Sequence, residues 1–359
     1  MLLCKNESSS SYYLNADNIH KMLAGLIDFS GGNYLTRKTG TTATLQILAN
    51  TKFAIINNGT HKVFNVGASN VELTASDLDA GSFAVGSDYY VYLCDAGVDQ
   101  EVFKISLNST YPAGYNAQNS RKIGGFHYGY ERLTITVADV RAAIVPNSVW
   151  DLIHRPKCTP EGMVYVGGGL WVDIYLAAVN EAITFNGGSG YPLLTGTAKS
   201  AYGVTPLTGT EGLSGYNFIE LARRSGKRLL TLAEWLQAAH GHPAGDQFAG
   251  NVSTRGTTGE DVALGSISLA NVVDCARKLY QWLADFTIQQ ASTSWAYQDV
   301  MSGMHVGQPY LPNATGLSQI LAGGSWSNGA IAGSRYVGLS YCPWAVGPSF
   351  GSRFACDSL

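Results

Sequence analysis

Over residues 36–150 apolar and polar positions alternate in short runs, punctuated at regular intervals by Gly, Asn and Asp. "TATLQILAN", "KFAIINNGTHKVFNV", "SNVELTA", "SDYYVYLCDAG", "EVFKISL" and "RLTITVADV" are β-branched or aromatic stretches of strand length. Asn58-Gly59 separates two apolar runs and suits a two-residue hairpin turn. The region reads as an all-β, sandwich-like module without an internal repeat. Residues 1–35 are rich in Ser and Asn. Their one helical spacing, Ile19, Met22, Leu23 and Leu26 in "DNIHKMLAGLI", marks a small element in an attachment or assembly segment.

Beyond Ser148 the period lengthens. "LWVDIYLAAVNEA" (170–182) is long and apolar enough to predict a buried helix. "YNFIELARRSGK" places Phe218, Leu221 and Ala222 on one helical face, with Gly226 as the stop. Thr231 and Glu234 form a T-x-x-E capping box, so the next helix starts at Thr231 and ends near Gly241, where a left-handed residue is wanted. Loops and short strands follow. Helices first and irregular β-structure afterwards predict an α+β domain over 151–359. The last stretch, Gly323 to Phe354, fits neither period: Gly, Ser and Ala alternate there with Trp326, Arg335, Trp344 and Arg353.

Composition narrows the function. Charged residues are 14% of the chain against 45% hydrophobic, with 42 Gly and 20 Tyr, the balance of a turn-rich, β-heavy extracellular protein. The net charge of −3 and the absence of any basic cluster larger than "ARRSGKR" argue against nucleic acid as a partner. No apolar window approaches the ~18 residues of a membrane span, so no membrane insertion is expected. The opening "MLLCKNESSSS" lacks a basic n-region and a proper apolar h-region, and is not read as a signal peptide.

Candidate chemistry is sparse. The six cysteines are dispersed without CxxC or zinc spacing; Cys94, Cys158 and Cys275 read as buried thiols, with a single bridge left open. His240 and His242 lie at a helix end without a third ligand, so no metal is expected. GxSxG, HExxH and P-loop patterns are missing, and the glycine runs at 166–169 and 187–190 read as turns. Asp173, Glu220, Glu234 and Asp285 sit in apolar surroundings and are read as structurally hydrogen-bonded carboxylates. No cofactor is expected.

Two resemblances place these motifs. "GKRLLTLAEWLQAAHG" (226–241), "YQWLADF" (280–286), "GGSWSNG" and the late "GSRFA" resemble, in order, the signatures of the formylglycine-generating-enzyme branch of the C-type lectin fold. In those enzymes two cysteines follow "GGS"; the matching positions here are Asn328 and Gly333, and neither can supply a thiolate. An oxidase of that type is therefore the disfavoured alternative. "GSDYYVYLCDAG", "RKIGGFHY", "SVWDLIHRP", "GMVYVGGGLWVDIYLAAVN" and the "GGSW…GSR…CDSL" ending are similar to the variable proteins of diversity-generating retroelements, over roughly 85–359.

The second resemblance implies a C-type-lectin-like C-terminal domain behind the β-rich module, and a non-catalytic phage receptor-binding or surface-displayed protein. A cell-surface protein or glycan is the implied receptor, a homotrimer the implied assembly, and the virion tail fibre or a cell surface the location. Residues 1–35, and the N-terminal part generally, would join other virion or surface components. It also implies a variable region of about 323–354, rewritten by adenine-directed mutagenesis. Changing the adenines of Asn codons cannot yield Trp, Met, Lys, Glu or Gln. The implied variable contacts are Ser325, Ser327, Asn328, Ile331, Tyr336, Gly338, Ser340, Tyr341, Cys342, Ala345, Gly347 and Ser349. The implied scaffold is Gly323, Gly324, Trp326, Arg335, Trp344 and Arg353: ring burial and a multi-donor guanidinium can hold a chain without regular secondary structure. A structural virion protein without a ligand would instead bury Tyr336 and Tyr341.

Overall fold

The computed structural model describes residues 27–29, 31–57, 60–97, 100–134, 136, 139–186, 193–243, 255–297 and 310–359. The helix expected around 17–27 and the glycine run at 187–190 lie outside them. The chain forms two compact units, discontinuous in sequence. One contains the chain up to Phe83 with Asp88–Phe126 and Val149–Ile153; the other contains Ala84–Ser87, His127–Ser148 and His154–Leu359.

The first unit is all β. Lys52–Asn57 and Thr60–Asn65 pair antiparallel around residues 58–59, the predicted hairpin. Leu35–Arg37, Leu45–Ile47 and Val71–Leu73 make a three-stranded sheet. Ser87–Gly97 and Gln100–Ser106 pair antiparallel as expected. One predicted strand is corrected: most of "RLTITVADV" lies between the strands Ser120–Arg132 and Val140–Ile144. The strand Ser120–Arg132 has no clean alternating pattern because Gly124 and Gly125 interrupt it. Those glycines are required by packing. A Cβ on Gly124 would lie 2.5 Å from the Trp150 carbonyl oxygen, and one on Gly125 2.7 Å from the Trp150 ring.

The second unit is mostly β with two helices among the described residues, α1 (Gly215–Arg224) and α2 (Leu232–Ala238). Both are capped as the sequence dictates. Thr231 Oγ1 accepts from Glu234 N while Glu234 Oε2 accepts from Thr231 N, and Gly226 and Gly241 take φ of +71° and +73° beyond the helix ends. The expected helix at 170–182 is instead two strands, Leu170–Asp173 and Ala177–Glu181. The apolar run is continuous because Leu170–Ala178 is buried throughout, and a fully buried strand has no alternation to distinguish it from a buried helix. The α+β expectation thus gives way to a mostly β fold. The 166–169 glycines do turn the chain: Gly167, Gly168 and Gly169 all have positive φ between Met163–Gly167 and Leu170–Asp173.

Two sheets carry this unit. Met163–Gly167, Leu170–Asp173, Phe354–Asp357 and Arg228–Leu229 form the first, in that order. Gly333–Gly338, Tyr310–Gly323, Tyr280–Tyr297 and Phe350–Gly351 form the second. The final segment of the chain therefore adds strands to both. Trp171, Trp235 and Trp282 are the large, fully buried indoles of the core.

Candidate functional site

The segment from Gly323 to Phe354 leaves the long strand Tyr310–Gly323 and returns to the core at Arg353. Its start is dictated by two glycines, Gly323 at φ +86° and Gly324 at φ +76°. A Cβ on Gly323 would lie 2.3 Å from the Cys275 carbonyl oxygen, so only glycine fits. Ser325 then caps a 3₁₀ turn, Trp326–Ile331: Ser325 N donates to Asn328 Oδ1 over 2.8 Å and Ser325 Oγ accepts from Ser327 N. The strand Gly333–Gly338 pairs with the outgoing strand through Gly323↔Gly333, Ala322↔Val337 and Leu321↔Gly338.

A loop, 339–349, follows, and main-chain bonds hold it. Gln319 N donates to the Tyr341 carbonyl (3.1 Å), Tyr216 N to that of Pro343 (3.2 Å), Gly209 N to that of Gly347 (3.0 Å) and Tyr280 N to that of Ser349 (2.9 Å). Four donors outside the segment thus fix four carbonyls inside it, without using a side chain of the loop.

Arg353 closes the segment. It is 1% exposed. Its Nε donates to Gln281 Oε1 (2.7 Å), Nη1 to the carbonyls of Asp173 (3.2 Å) and Ile174 (3.0 Å), and Nη2 to those of Val273 (2.6 Å) and Asp274 (3.1 Å). The guanidinium also lies 5.9 Å from the Trp235 ring centre. Trp235 Nε1 in turn donates to the Ser334 carbonyl over 3.1 Å, a fifth main-chain hold on the segment.

Against this geometry the predicted site residues divide. Ser327, Ile331, Ser340 and Tyr341 are exposed; Asn328, Tyr336, Gly338, Cys342, Ala345, Gly347 and Ser349 are half-buried. Ile331 is 70% exposed and Tyr341 38%. Ser325 is corrected: it is fully buried, because its hydroxyl caps the turn. Arg335, expected among the scaffold, is exposed; its strand lies at the sheet edge and the segment's buried guanidinium is Arg353 instead. Trp326 and Trp344 are half-buried, and the anchoring indole, Trp235, comes from α2.

Tyr336 and Tyr341 gather with Tyr280 and Phe350, at ring separations of 5.7 Å for Tyr280–Tyr336, 6.2 Å for Tyr280–Tyr341 and 4.7 Å for Tyr341–Phe350. Burial first, then the hydrogen bond with Tyr280, pushes the Tyr336 phenol up to about 12, so it stays neutral.

Sequence reasoning passed over Leu339, Val346 and Arg335 as surface residues of this segment. All three are exposed, Leu339 by 46% and Val346 by 55%. The codon argument that excludes Trp admits Leu, Val and Arg, so it could have found them; a preference for small residues hid them. Arg335 also lines a depression of about 460 Å³ with Leu232, Leu236, His240, Ser334 and Val337. A second, of about 380 Å³, is lined by His242 and residues 330–336. Burial lowers the His242 imidazole to about 3, and it is neutral at the floor of that hollow.

The carboxylates in apolar surroundings are structural where bonds are present. Asp173 accepts from Lys227 Nζ and Phe354 N, Asp285 from Leu232 N, and Glu234 from Arg228 and Thr231. Asn328 and Gly333, the positions aligned with the oxidase cysteines, are occupied by a cap and a strand pair. Among the described residues no helix is long and apolar enough to cross a membrane.

Comparison with known proteins decides the lineage. Residues 34–151 match the family model of the Mtd second domain. The chain is 29% identical over 320 residues to the "Tail fiber receptor-binding protein" of Bordetella phage BPP-1, covering 83% of this chain and 78% of that one. The chain is a major tropism determinant-like protein. The solved M1 variant of the major tropism determinant superposes with a TM-score of 0.73 at 25% identity, covering 95% of this chain and 87% of that one. The I1 variant gives 0.75 at 24% identity, over 98% and 89%. The likeness to the major tropism determinant thus starts well before residue 85, and includes β-structure that the sequence motifs did not reach.

Proposed function

We propose that this chain is a retroelement-diversified receptor-binding protein, which recognises a host cell-surface protein or glycan through the surface of residues 323–354 and does no chemistry. The observation that carries this reading is the way the 339–349 loop is held. Its carbonyls are bonded by Gln319, Tyr216, Gly209 and Tyr280, and the whole segment is held at its ends by Gly323 and Arg353, so the path does not depend on the outward side chains. Binding residues on loops fixed by a rigid framework can change without changing the framework. The exposed set, extended to Arg335, Leu339 and Val346, supplies aliphatic and aromatic contact area with one cation.

The finer features follow the same reading. Residues 151–359 form a C-type-lectin-like domain of the formylglycine-generating type, 36–150 is a β-rich module, and residues 1–35 attach the protein to other virion components. The Bordetella phage relative is a tail fibre receptor-binding protein, which supports a virion location here. A homotrimer would present three copies of a surface, raising effective affinity without new contacts.

The test is population sequencing of the coding region, with labelled full-length chain bound to host cells. Substitutions should accumulate at Ser327, Ile331, Ser340 and Tyr341, and never at Gly323 or Arg353. Replacing the exposed residues should abolish cell binding. An invariant 323–354 segment, or binding indifferent to those replacements, contradicts the proposal.

A further inference from the structure

Away from the proposed binding surface, the chain sets two cysteines opposite one another. The segment preceding Met163 runs antiparallel to the chain end. Pro156 bridges Ser358, Lys157 N donates to the Asp357 carbonyl and Leu359 N to the Arg155 carbonyl, each over 2.9 Å. Those two bonds flank Pro156 and Ser358 as a non-hydrogen-bonded pair. Just beyond this bridge the chain brings Cys158 against Cys356. The two residues meet there: Cys158 N donates to Cys356 Sγ over 3.2 Å. Both are reduced, Cys356 buried and Cys158 half-buried and so reachable from solvent.

We propose that Cys158 and Cys356 are a redox pair, which closes into a disulfide when the protein meets a small-molecule disulfide such as oxidised glutathione. Cys158 gives up its proton and attacks one sulfur of the oxidant. The first small-molecule thiolate leaves and takes that proton, and Cys158 holds the other half as a mixed disulfide. The Cys356 thiolate then attacks Cys158 Sγ and expels the second small-molecule thiolate. Two electrons pass from the protein sulfurs to the oxidant, and one S–S bond replaces another.

Cys158 leads because it is the thiol that solvent reaches, although its raised pKa slows that first attack; Cys356, the lowered one, is suited to the second. The contact with Cys158 holds Cys356 below the usual thiol range and favours its thiolate, while the same contact and burial push Cys158 up. Lys227, nearly buried and paired with Asp173, adds positive charge beside Cys356. The bridge would tie the strand Phe354–Asp357 to the loop before Met163, just beyond Arg353, and so lock the frame beneath the variable segment. Chain-end clamping of this kind acts mainly by restricting the unfolded chain.

The full chain, purified reduced and then incubated with oxidised glutathione, should give on non-reducing peptide mass mapping one Cys158–Cys356 cross-linked pair, two hydrogens lighter than its separate peptides. Its melting temperature should rise on oxidation and return on reduction. C356S should stop at a glutathione adduct on Cys158, and C94S should still form the link. Both thiols remaining alkylatable after oxidation, wild-type protein ending in glutathione adducts, or a bridge to another cysteine would overturn the proposal.

Discussion

Arg353 and Ser325 show how much of the candidate site is decided by single residues whose side chains never reach a ligand. Arg353 satisfies four buried carbonyls and the Gln281 amide oxygen at once. Lysine carries the charge but not the planar fork, and would leave several of those acceptors bare. R353K should lower the unfolding free energy by on the order of 3 kcal/mol, since each orphaned buried acceptor costs about 1–3 kcal/mol. S325A, which removes a cap, should cost ~1 kcal/mol. I331S, on the surface, should stay within ~0.5 kcal/mol. Urea unfolding followed by tryptophan fluorescence would rank them, and equal losses for I331S and R353K would refute the division between frame and surface. The sequence made Arg353 legible, because a guanidinium among glycines and small residues has few other uses. It could not separate Arg353 from Arg335, since the difference is which one the returning chain carries beneath Trp235. It also misplaced Ser325, because a capping serine and an exposed serine are the same letter until the turn is seen.

Elements were legible where local chemistry alone specifies them. The Thr231–Glu234 capping box starts α2, and the 58–59 hairpin forms between its two apolar runs. They were illegible where long-range burial decides, as in Leu170–Glu181 and the glycine-broken strand Ser120–Arg132. The capping box also sets a pH dependence. Burial alone would raise the Glu234 carboxyl, but the hydrogen bonds from Arg228 and Thr231 outweigh it and hold Glu234 below its ordinary 4.5. A carboxyl lowered by folding contributes stability that is complete above the unfolded value and is lost as pH falls through the folded one. The melting temperature of wild type should therefore exceed that of E234Q at pH 7, and the gap should close below about pH 4.5, in the range of unfolded carboxyls. A gap that widens on acidification would show that the sign is wrong.

At the scale of the whole molecule, the major tropism determinant-like chain separates what must stay from what is free to change. The core indoles Trp235 and Trp282 and the buried guanidinium pack against the 323–354 segment, whose loop gives the frame its carbonyls and exposes part of its side chains to solvent. The most direct measurement is the thermal unfolding of a chain in which Ser327, Ile331, Arg335, Ser340 and Val346 are all replaced together by other small or aromatic residues. The account predicts a melting temperature within a few degrees of the parent, because exposed positions outside the frame change stability little. A collapse in melting temperature comparable to that of R353K would contradict it, since the loop's path would then depend on the side chains it is supposed to leave free.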